Sequence, residues 1–215
     1  MRDFFDYLWQ RRDHLFDLAV AHAKIVLTAI AIAVVISILI GVLVYRRPRI
    51  AAFVLAVQGA SLTIPSLALF GLLIPIAGLG YRPVLIALVI YALLPITRNT
   101  VTGLRGVDPA VLESAEGMGM GRLRRLLRIE LPLAWPVILT GIRVSTVMIL
   151  GIAAIGAYVD GPGLGRDIFD GLARIGSPTA VDLVVGGTLG VIVLALLSDV
   201  FYFLLGRLTT SKGIR

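Results

Sequence analysis

The stretch IVLTAIAIAVVISILIGVLVY, residues 25–45, decides the structural class of this protein. Its 21 consecutive uncharged residues lie between Lys24 and Arg46. At about 1.5 Å per residue, an α-helix of this length crosses a hydrocarbon core of about 30 Å. The sequence therefore predicts a membrane-spanning helix.

The composition of the whole chain agrees with a membrane protein. Of 215 residues, 58% are hydrophobic and 15% are charged, and the mean hydropathy is +0.97, which fits no soluble class. The net charge of +7 does not indicate a nucleic-acid partner, because the basic residues stand at the ends of apolar runs. The absence of cysteine excludes disulfides and thiolate metal sites, and two histidines, His14 and His22, are too few for a His-based metal cluster.

The start of the chain, MRDFFDYLWQRRDHLFD, predicts a short interfacial helix before the first span rather than a cleaved signal peptide. Four aspartates, including Asp3, offset the positive charge that a signal peptide needs. Its aromatic and leucine residues suit a membrane interface. The alternative is a frayed polar tail.

The apolar runs together predict an all-α, polytopic membrane protein with about five core spans in one domain, residues 1–215. The predicted spans are about 22–45, 50–76, 83–104, 133–158 and 182–206, with a loop at 105–131.

The distribution of arginine and lysine predicts the orientation, since these residues accumulate in short cytoplasmic loops. The opposite face has fewer basic residues, and nearby aspartates offset them. We therefore expect the N-terminus outside and the C-terminus in the cytoplasm. The residues assigned to the cytoplasmic side are Arg46, Arg47, Arg49, Arg105, Arg122, Arg124, Arg125, Arg128, Arg207, Lys212 and Arg215.

The second predicted span contains Pro65 and Pro75, which indicate a kink. A proline in a membrane helix leaves a carbonyl that another group has to satisfy, so Thr63, Pro65 and Ser66 are expected to face protein or a water-filled path. A kink used only for packing is the alternative.

The 105–131 loop predicts a compact docking element on the membrane surface. Asp108 followed by Pro109 is typical of a helix start, and a series of glycines follows that ends the helix. The next residues, RLRRLLRIELP, alternate leucine and arginine as an interfacial helix does.

This loop resembles the motif of the permease subunits of binding-protein-dependent ABC importers, in which E-A-A precedes a glycine and then I-x-L-P. Ser114 stands where alanine is usual. The resemblance implies the type I fold with a cytoplasmic coupling helix that docks to an ATPase. The residues assigned to coupling are Asp108, Leu112, Glu113, Ser114, Ala115, Gly119, Ile129, Leu131 and Pro132.

Four further segments resemble the osmoprotectant branch of this family, which imports glycine betaine, choline, carnitine or proline betaine. They are SLTIPSLALFGLLIPIAGLG (61–80), YALLPITRNTVTGLRGVDP (91–109), ESAEGMGM (113–120) and DGPGLGRDIFDGLARIG (160–176). The resemblance implies a bacterial inner-membrane protein that receives its solute from a separate extracytoplasmic binding protein.

The chain has no G-x-x-x-x-G-K-[ST] phosphate loop, so we expect it to bind no cofactor and to be no enzyme itself. ATP and Mg are expected on two cytosolic ATPase subunits. Five spans cannot enclose a route for a zwitterion, which predicts a second permease subunit, either an identical copy or a paralogue.

Three polar residues of the spans are candidates to line the pathway. Arg98 and Asn99 stand near the inner end of the third span, although Arg98 is also placed to reach the headgroups. Arg143 lies deep in the fourth span and needs a partner, for which Asp199 or helix-end carbonyls are candidates. A structural ion pair and a pathway role both remain open.

The segment from Asp160 to Ile175 is a candidate gate and contact surface for the binding protein, with Asp160, Gly163 and Gly165 as its key residues. The alternative is a re-entrant connector.

Other functions fit the sequence less well. A permease of the same class for another small solute, such as an amino acid, is the nearest alternative. A channel or ion-coupled carrier is expected to have acidic residues in mid-span and inverted repeats, and only Asp199 comes near this pattern. A membrane enzyme would need a catalytic cluster that the sequence does not offer.

Overall fold

Every regular element in residues 2–210, the part of the chain that the computed structural model describes, is helical. Side chains are described from Asp6 onward, so the side chain of Asp3 and the predicted tail residues Lys212 and Arg215 lie outside this part. The all-α fold class is confirmed. In chain order the helices are α1 (Arg2–Gln10), α2 (Arg12–Val44), α3 (Pro48–Thr63), α4 (Ser66–Ala77), α5 (Tyr81–Arg105), α6 (Pro109–Gly117), α7 (Arg122–Arg125), a π-helical turn (Leu126–Glu130), α8 (Leu131–Ile155), a 3-10 turn (Gly156–Val159), α9 (Gly165–Ala173) and α10 (Ala180–Thr209).

Four helical stretches in the described chain are long and apolar enough to cross a membrane, and a bent pair of helices adds a fifth if the pair is one span. The bent pair is α3 and α4, which meet at 97°. The four stretches are Arg12–Val44, Tyr81–Arg105, Arg122–Val159 and Ala180–Thr209.

Hydrogen bonds at the two ends of α8 indicate that α3 and α4 together span the bundle. Tyr45, just before α3, donates to Glu130 at the start of α8, with 2.6 Å between the oxygens. Gly80, just after α4, donates its N–H to the carbonyl of Val159 at the far end, at 2.7 Å. We call the end with Tyr45 and Glu130 the arginine-rich end and the end with Gly80 and Val159 the glycine-rich end.

The break between α3 and α4 occurs at Pro65, where the sequence predicts a kink. Tyr91 on α5 donates its hydroxyl hydrogen to the carbonyl of Ile64, at 2.8 Å. This bond satisfies a backbone acceptor that the interrupted helix leaves free, as a low-dielectric environment requires.

Helix α5 lies between α2 and α8 and forms the centre of the bundle. Ser37 on α2 donates to the carbonyl of Leu93, at 3.3 Å, and Ser145 on α8 donates to the carbonyl of Ala92, at 3.0 Å. Both carbonyls belong to the turn before Pro95. Two buried serines therefore tie the backbone of α5 to both of its neighbours.

The fourth span begins earlier than the residue after Pro132. Helix α7, the π-helical turn and α8 form one continuous stretch, Arg122–Val159, so RLRRLLRIELP is not a separate interfacial helix. In the widened turn, Leu131 donates its N–H to the carbonyl of Leu126, five residues earlier. A wider turn accommodates the ring of Pro132, which has no N–H and would crowd the carbonyl four residues before it.

Close contact between α5 and α8 depends on Gly141. A Cβ atom at this position would lie 2.7 Å from the carbonyl oxygen of Pro95 and 2.7 Å from Cβ of Asn99. The oxygen belongs to the backbone, so it cannot move without shifting α5.

We predict that Gly141→Ala lowers the thermal unfolding midpoint of the detergent-solubilised protein by several degrees. Overpacking of this kind typically costs about 1–3 kcal/mol. The control is Gly151→Ala on the same helix, where an added Cβ has no neighbour within 4 Å. Equal midpoints for the two variants would contradict the packing described here.

Candidate functional site

Helix α6 begins as the sequence predicts. A carboxylate oxygen of Asp108 accepts a hydrogen bond from the backbone N–H of Ala110, at 2.8 Å. Pro109 occupies the first helical position, where its missing N–H has no cost. This cap stabilises the first turn of a helix that has only nine residues.

Helix α6 ends in a Schellman motif centred on Gly119. Met120 donates its N–H to the carbonyl of Ala115, at 3.1 Å, and Gly119 donates to that of Glu116, at 2.9 Å. Gly119 has a φ angle of +77°, in the left-handed region that residues other than glycine rarely adopt. The glycine therefore fixes the direction in which the chain leaves α6.

The surface of α6 is largely free for a partner. Ala115 is fully buried, Leu112 is half-buried, and Glu113 and Ser114 are exposed. The Ser114 hydroxyl donates to the carbonyl of Ala110, at 2.8 Å, so it is already used within the helix.

Two exposed apolar side chains of this region were not singled out from the sequence. Val111 is 39% exposed and Met118 is 70% exposed, and they stand three residues before and four residues after Ser114, on the same side of α6. Apolar side chains gathered on an otherwise polar surface indicate a site of protein contact.

The second half of the predicted coupling motif lies apart from α6. Ile129 and Leu131 are half-buried in the π-helical turn and the start of α8, and Pro132 is exposed in the first turn of α8. These residues connect the 105–131 loop to the fourth span rather than extend the surface of α6.

Glu130 lies between Ile129 and Leu131 and is only 1% exposed. It was not singled out from the sequence. Its carboxylate accepts from the Tyr45 hydroxyl at 2.6 Å, from Arg46 at 3.0 Å and from Arg125 at 3.2 Å. Tyr45 in turn accepts from Nε of Arg46. The signal in the sequence was a single acid within an arginine-rich run.

Arg125 extends this set of contacts to α6. Its Nη1 atom donates to a carboxylate oxygen of Glu116, at 2.8 Å. On the other side, Nε of Arg105, the last residue of α5, donates to the carbonyl of Tyr45 at 2.7 Å. We call Glu116, Arg125, Glu130, Tyr45, Arg46 and Arg105 the Glu130 cluster.

The predicted pathway residues of the bent pair lie at the surface of this single chain. Thr63 and Pro65 are exposed and Ser66 is half-buried. The Thr63 hydroxyl donates to the carbonyl of Ala60, at 2.8 Å.

The two candidates on α5 differ in their surroundings. Arg98 is exposed and makes no ion pair with any described residue. Asn99 is half-buried and donates to the carbonyl of Pro95, at 2.8 Å, next to Gly141. Asn99 therefore also contributes to the contact between α5 and α8.

Arg143 pairs with Asp199, one of the two kinds of partner that the sequence suggests. Two parallel hydrogen bonds of 2.5 and 2.6 Å join Arg143 on α8 to Asp199 on α10. Both side chains are partly exposed, at 43% and 42%, beside an open groove of about 350 Å³ whose wall includes Thr140 and Tyr202.

At the glycine-rich end, only one of the three candidate contact residues is accessible. Asp160 is exposed and adopts a left-handed conformation with a φ angle of +61°. Gly163 is buried against the ring of His22, and Gly165 is buried against the carbonyl of Ala154. In this conformation the two glycines serve packing, and neither is available for direct contact.

Helix α9 is attached to the N-terminal part of α2 at this end. Asp167 on α9 is 2% exposed, and one of its oxygens lies 3.0 Å from Nε2 of His14 and 3.5 Å from Arg11. Tyr7 on α1 contacts the same Arg11, and burial raises the pKa of the Tyr7 hydroxyl.

No group of three or more His, Cys, Asp and Glu side chains that could hold a metal ion is found within the described residues.

The profile of one protein family matches most of the chain. The profile of binding-protein-dependent transport system inner membrane components matches residues 25–211.

Individual relatives match over nearly their whole length. The chain is 41% identical to the carnitine transport permease protein OpuCB of Listeria monocytogenes over 90% of this chain and 87% of that protein. It is 37% identical to the osmoprotectant import permease protein OsmW of Salmonella typhimurium over 99% and 100%. It is also 37% identical to the choline transport system permease protein OpuBB of Bacillus subtilis over 90% and 88%.

Among solved structures, the fold is similar to a chain of the MetNI methionine ABC transporter in an inward-facing conformation. The TM-score is 0.81, with 92% of this chain and 96% of that chain covered at 20% identity. This likeness shows the fold, which is that of a type I ABC importer permease.

We predict that Asp199→Asn lowers the thermal midpoint, because it leaves the guanidinium of Arg143 without a counter-charge inside a span. The double variant Arg143→Asp, Asp199→Arg should recover part of the loss. The control is Ser198→Ala, whose hydroxyl bonds only to the carbonyl of Leu194 in its own helix. The account fails if Asp199→Asn is as stable as the control.

Proposed function

This chain belongs to the family of binding-protein-dependent transport system inner membrane components, and we propose that it is a permease subunit for a quaternary-ammonium compatible solute. Glycine betaine, choline, carnitine and proline betaine are the candidates. The observation that carries the proposal is the match, over 90% or more of this chain, to permeases named for carnitine, choline and osmoprotectants.

The arginine-rich end faces the cytoplasm in this proposal. The basic residues gathered there fit the positive-inside rule. Five crossings then place the N-terminus outside and the C-terminus in the cytoplasm of the bacterial inner membrane. Helix α6 lies on the cytoplasmic side as a result.

Helix α6 is the docking helix for a cytosolic ATPase subunit. Its exposed side chains include a carboxylate, Glu113, and the apolar groups of Val111 and Met118. ATP and Mg bind to the ATPase, and closure of two ATPase subunits tilts the spans through this helix. The cap at Asp108 and the turn at Gly119 support this role by giving α6 a fixed length and exit direction.

A second permease subunit, either identical or a paralogue, completes the pathway. The partly exposed pair of Arg143 and Asp199 supports this, because charged side chains at mid-span are costly against lipid and usually face water or protein. The exposed hydroxyl of Thr63, beside the break at Pro65, is assigned to the same pathway. Arg98 and Asn99 then lie towards its inner end.

An extracytoplasmic binding protein delivers the solute at the glycine-rich end. Exposed Asp160 and the outer side of α9 are the proposed contact surface. The contacts of Arg11 and His14 with Asp167 support this assignment, because they hold α9 against the bundle.

We predict that Glu113→Lys and Gly119→Val uncouple ATP hydrolysis from uptake while the permease remains in the membrane. The first reverses the charge on the docking face, and the second places a β-branched residue at a φ angle of +77°. Uptake per ATP in vesicles, with permease content measured on immunoblots, checks this.

The controls are Asp17→Lys, an exposed acid at the opposite end, and Gly121→Val, whose φ angle of −65° suits any residue. Uptake and substrate-stimulated hydrolysis at the wild-type level in both docking variants would refute the docking role.

The solute is tested by uptake into vesicles that hold the permease, its ATPase and its binding protein. We expect ATP-dependent uptake of at least one of labelled glycine betaine, choline, carnitine and proline betaine. If a labelled amino acid is taken up and none of these four solutes is, the chain is instead a permease of the same class for amino acids. ATP-independent uptake would point to a channel or carrier.

A further inference from the structure

The most completely buried acid outside the predicted site is Glu130, in the last position of the π-helical turn. It is 1% exposed, although Arg124 and Arg128 in the same stretch are exposed. The I-x-L-P pattern of the family leaves this position open, so the motif alone assigns it no role.

The partners of Glu130 come from different parts of the chain. Tyr45 and Arg46 follow α2 and lie 85 and 84 residues away in sequence, whereas Arg125 lies on α7. Both carboxylate oxygens are used: one accepts from Tyr45 and the other from the two arginines. Charge-assisted bonds of this kind are shorter and stronger than neutral ones.

Arg125 gives this buried acid a connection to α6. The same guanidinium that binds Glu130 binds Glu116 on α6, at 2.8 Å. A continuous series of polar contacts therefore runs from α6 through Arg125 and Glu130 to the end of α2. Arg105 joins the end of α5 to it through the carbonyl of Tyr45.

Without the contact between Arg125 and Glu116, the chain connections of α6 would hold it less firmly. Residues 118–121 join α6 to α7 and include two glycines, and α6 otherwise contributes a single buried side chain, Ala115.

The π-helical turn that follows carries one residue more per turn than its surroundings, which displaces Glu130 by about 100° around the axis relative to a regular α-helix.

We propose that Glu130 is a positioning residue that fixes α6 to the ends of α2 and α5. Movement of α6 then reaches the spans and is not absorbed by the loop. This inference rests on the proposed docking of α6 to an ATPase. Glu130 transmits the movement of α6, whereas Glu113 and its neighbours make the docking contacts.

The test compares solute uptake per ATP hydrolysed in vesicles containing the assembled importer. Glu130→Gln keeps the size of the side chain and removes its charge, and we expect uptake per ATP to fall at least about fivefold, the lower range of energetic coupling between sites. Glu130→Asp keeps the charge and should retain more coupling. A residue that matters only for stability would lower uptake and hydrolysis together, through less inserted protein, and leave the ratio unchanged.

Two further variants make the test decisive. Arg128→Gln removes a charge from the same turn at a side chain without an ion pair in the described structure, and its ratio should stay at the wild-type value. Glu116→Ala removes the carboxylate through which α6 contacts Arg125; this side chain is 75% exposed, so the variant should fold normally and lower the ratio to a smaller extent.

The outcomes separate the two proposals. Wild-type uptake per ATP in Glu130→Gln, or an equal fall in Arg128→Gln, would overturn the role of Glu130. If Glu130→Gln does not insert, an unchanged ratio in Glu116→Ala overturns the role of Glu130 and a lowered ratio supports it. Absence of ATP-coupled uptake in the wild type would instead refute the proposed function, and this inference with it.

Discussion

The position of α5 between α2 and α8 is the packing constraint on which the rest of the structure depends. A helix in lipid has to satisfy its backbone from within the protein, and α5 combines Pro95 with carbonyls that accept from Ser37 and Ser145. Close approach to α8 is achieved at Gly141. Tyr91 of the same helix satisfies the break between α3 and α4, so the central helix also determines how the second crossing bends.

The proposed docking surfaces lie at the two ends of this packed bundle. At the arginine-rich end, α5 and α2 end beside the buried carboxylate of Glu130, which connects them to α7 and through Arg125 to α6. At the glycine-rich end, α9 is held to α2 through Asp167. With the proposed docking element at each end, such a bundle is suited to receive movement on one side and solute on the other.

Local signals made much of this predictable from sequence. The apolar runs predicted the helical spans, Asp108 and Gly119 predicted the limits of α6, and the depth of Arg143 in its span predicted a partner such as Asp199. Three features were not predicted. They are the 97° angle at Pro65, the continuity of α7 with α8, and the contacts of Glu130 with residues about 85 positions away. The second depends on a local π-helical turn, and the other two involve contacts between distant residues. The burial of Gly163 and Gly165 likewise follows from contacts with distant helices.

The most direct test of the central claim, that α6 is the docking helix, is cross-linking in the assembled importer. The chain has no native cysteine, so Val111→Cys on α6 and Asp170→Cys on α9 each provide a single reactive thiol. With a thiol-to-amine cross-linker, we expect a covalent product with the ATPase from position 111 and none from position 170. No ATPase product from position 111, or equal products from both positions, would contradict it.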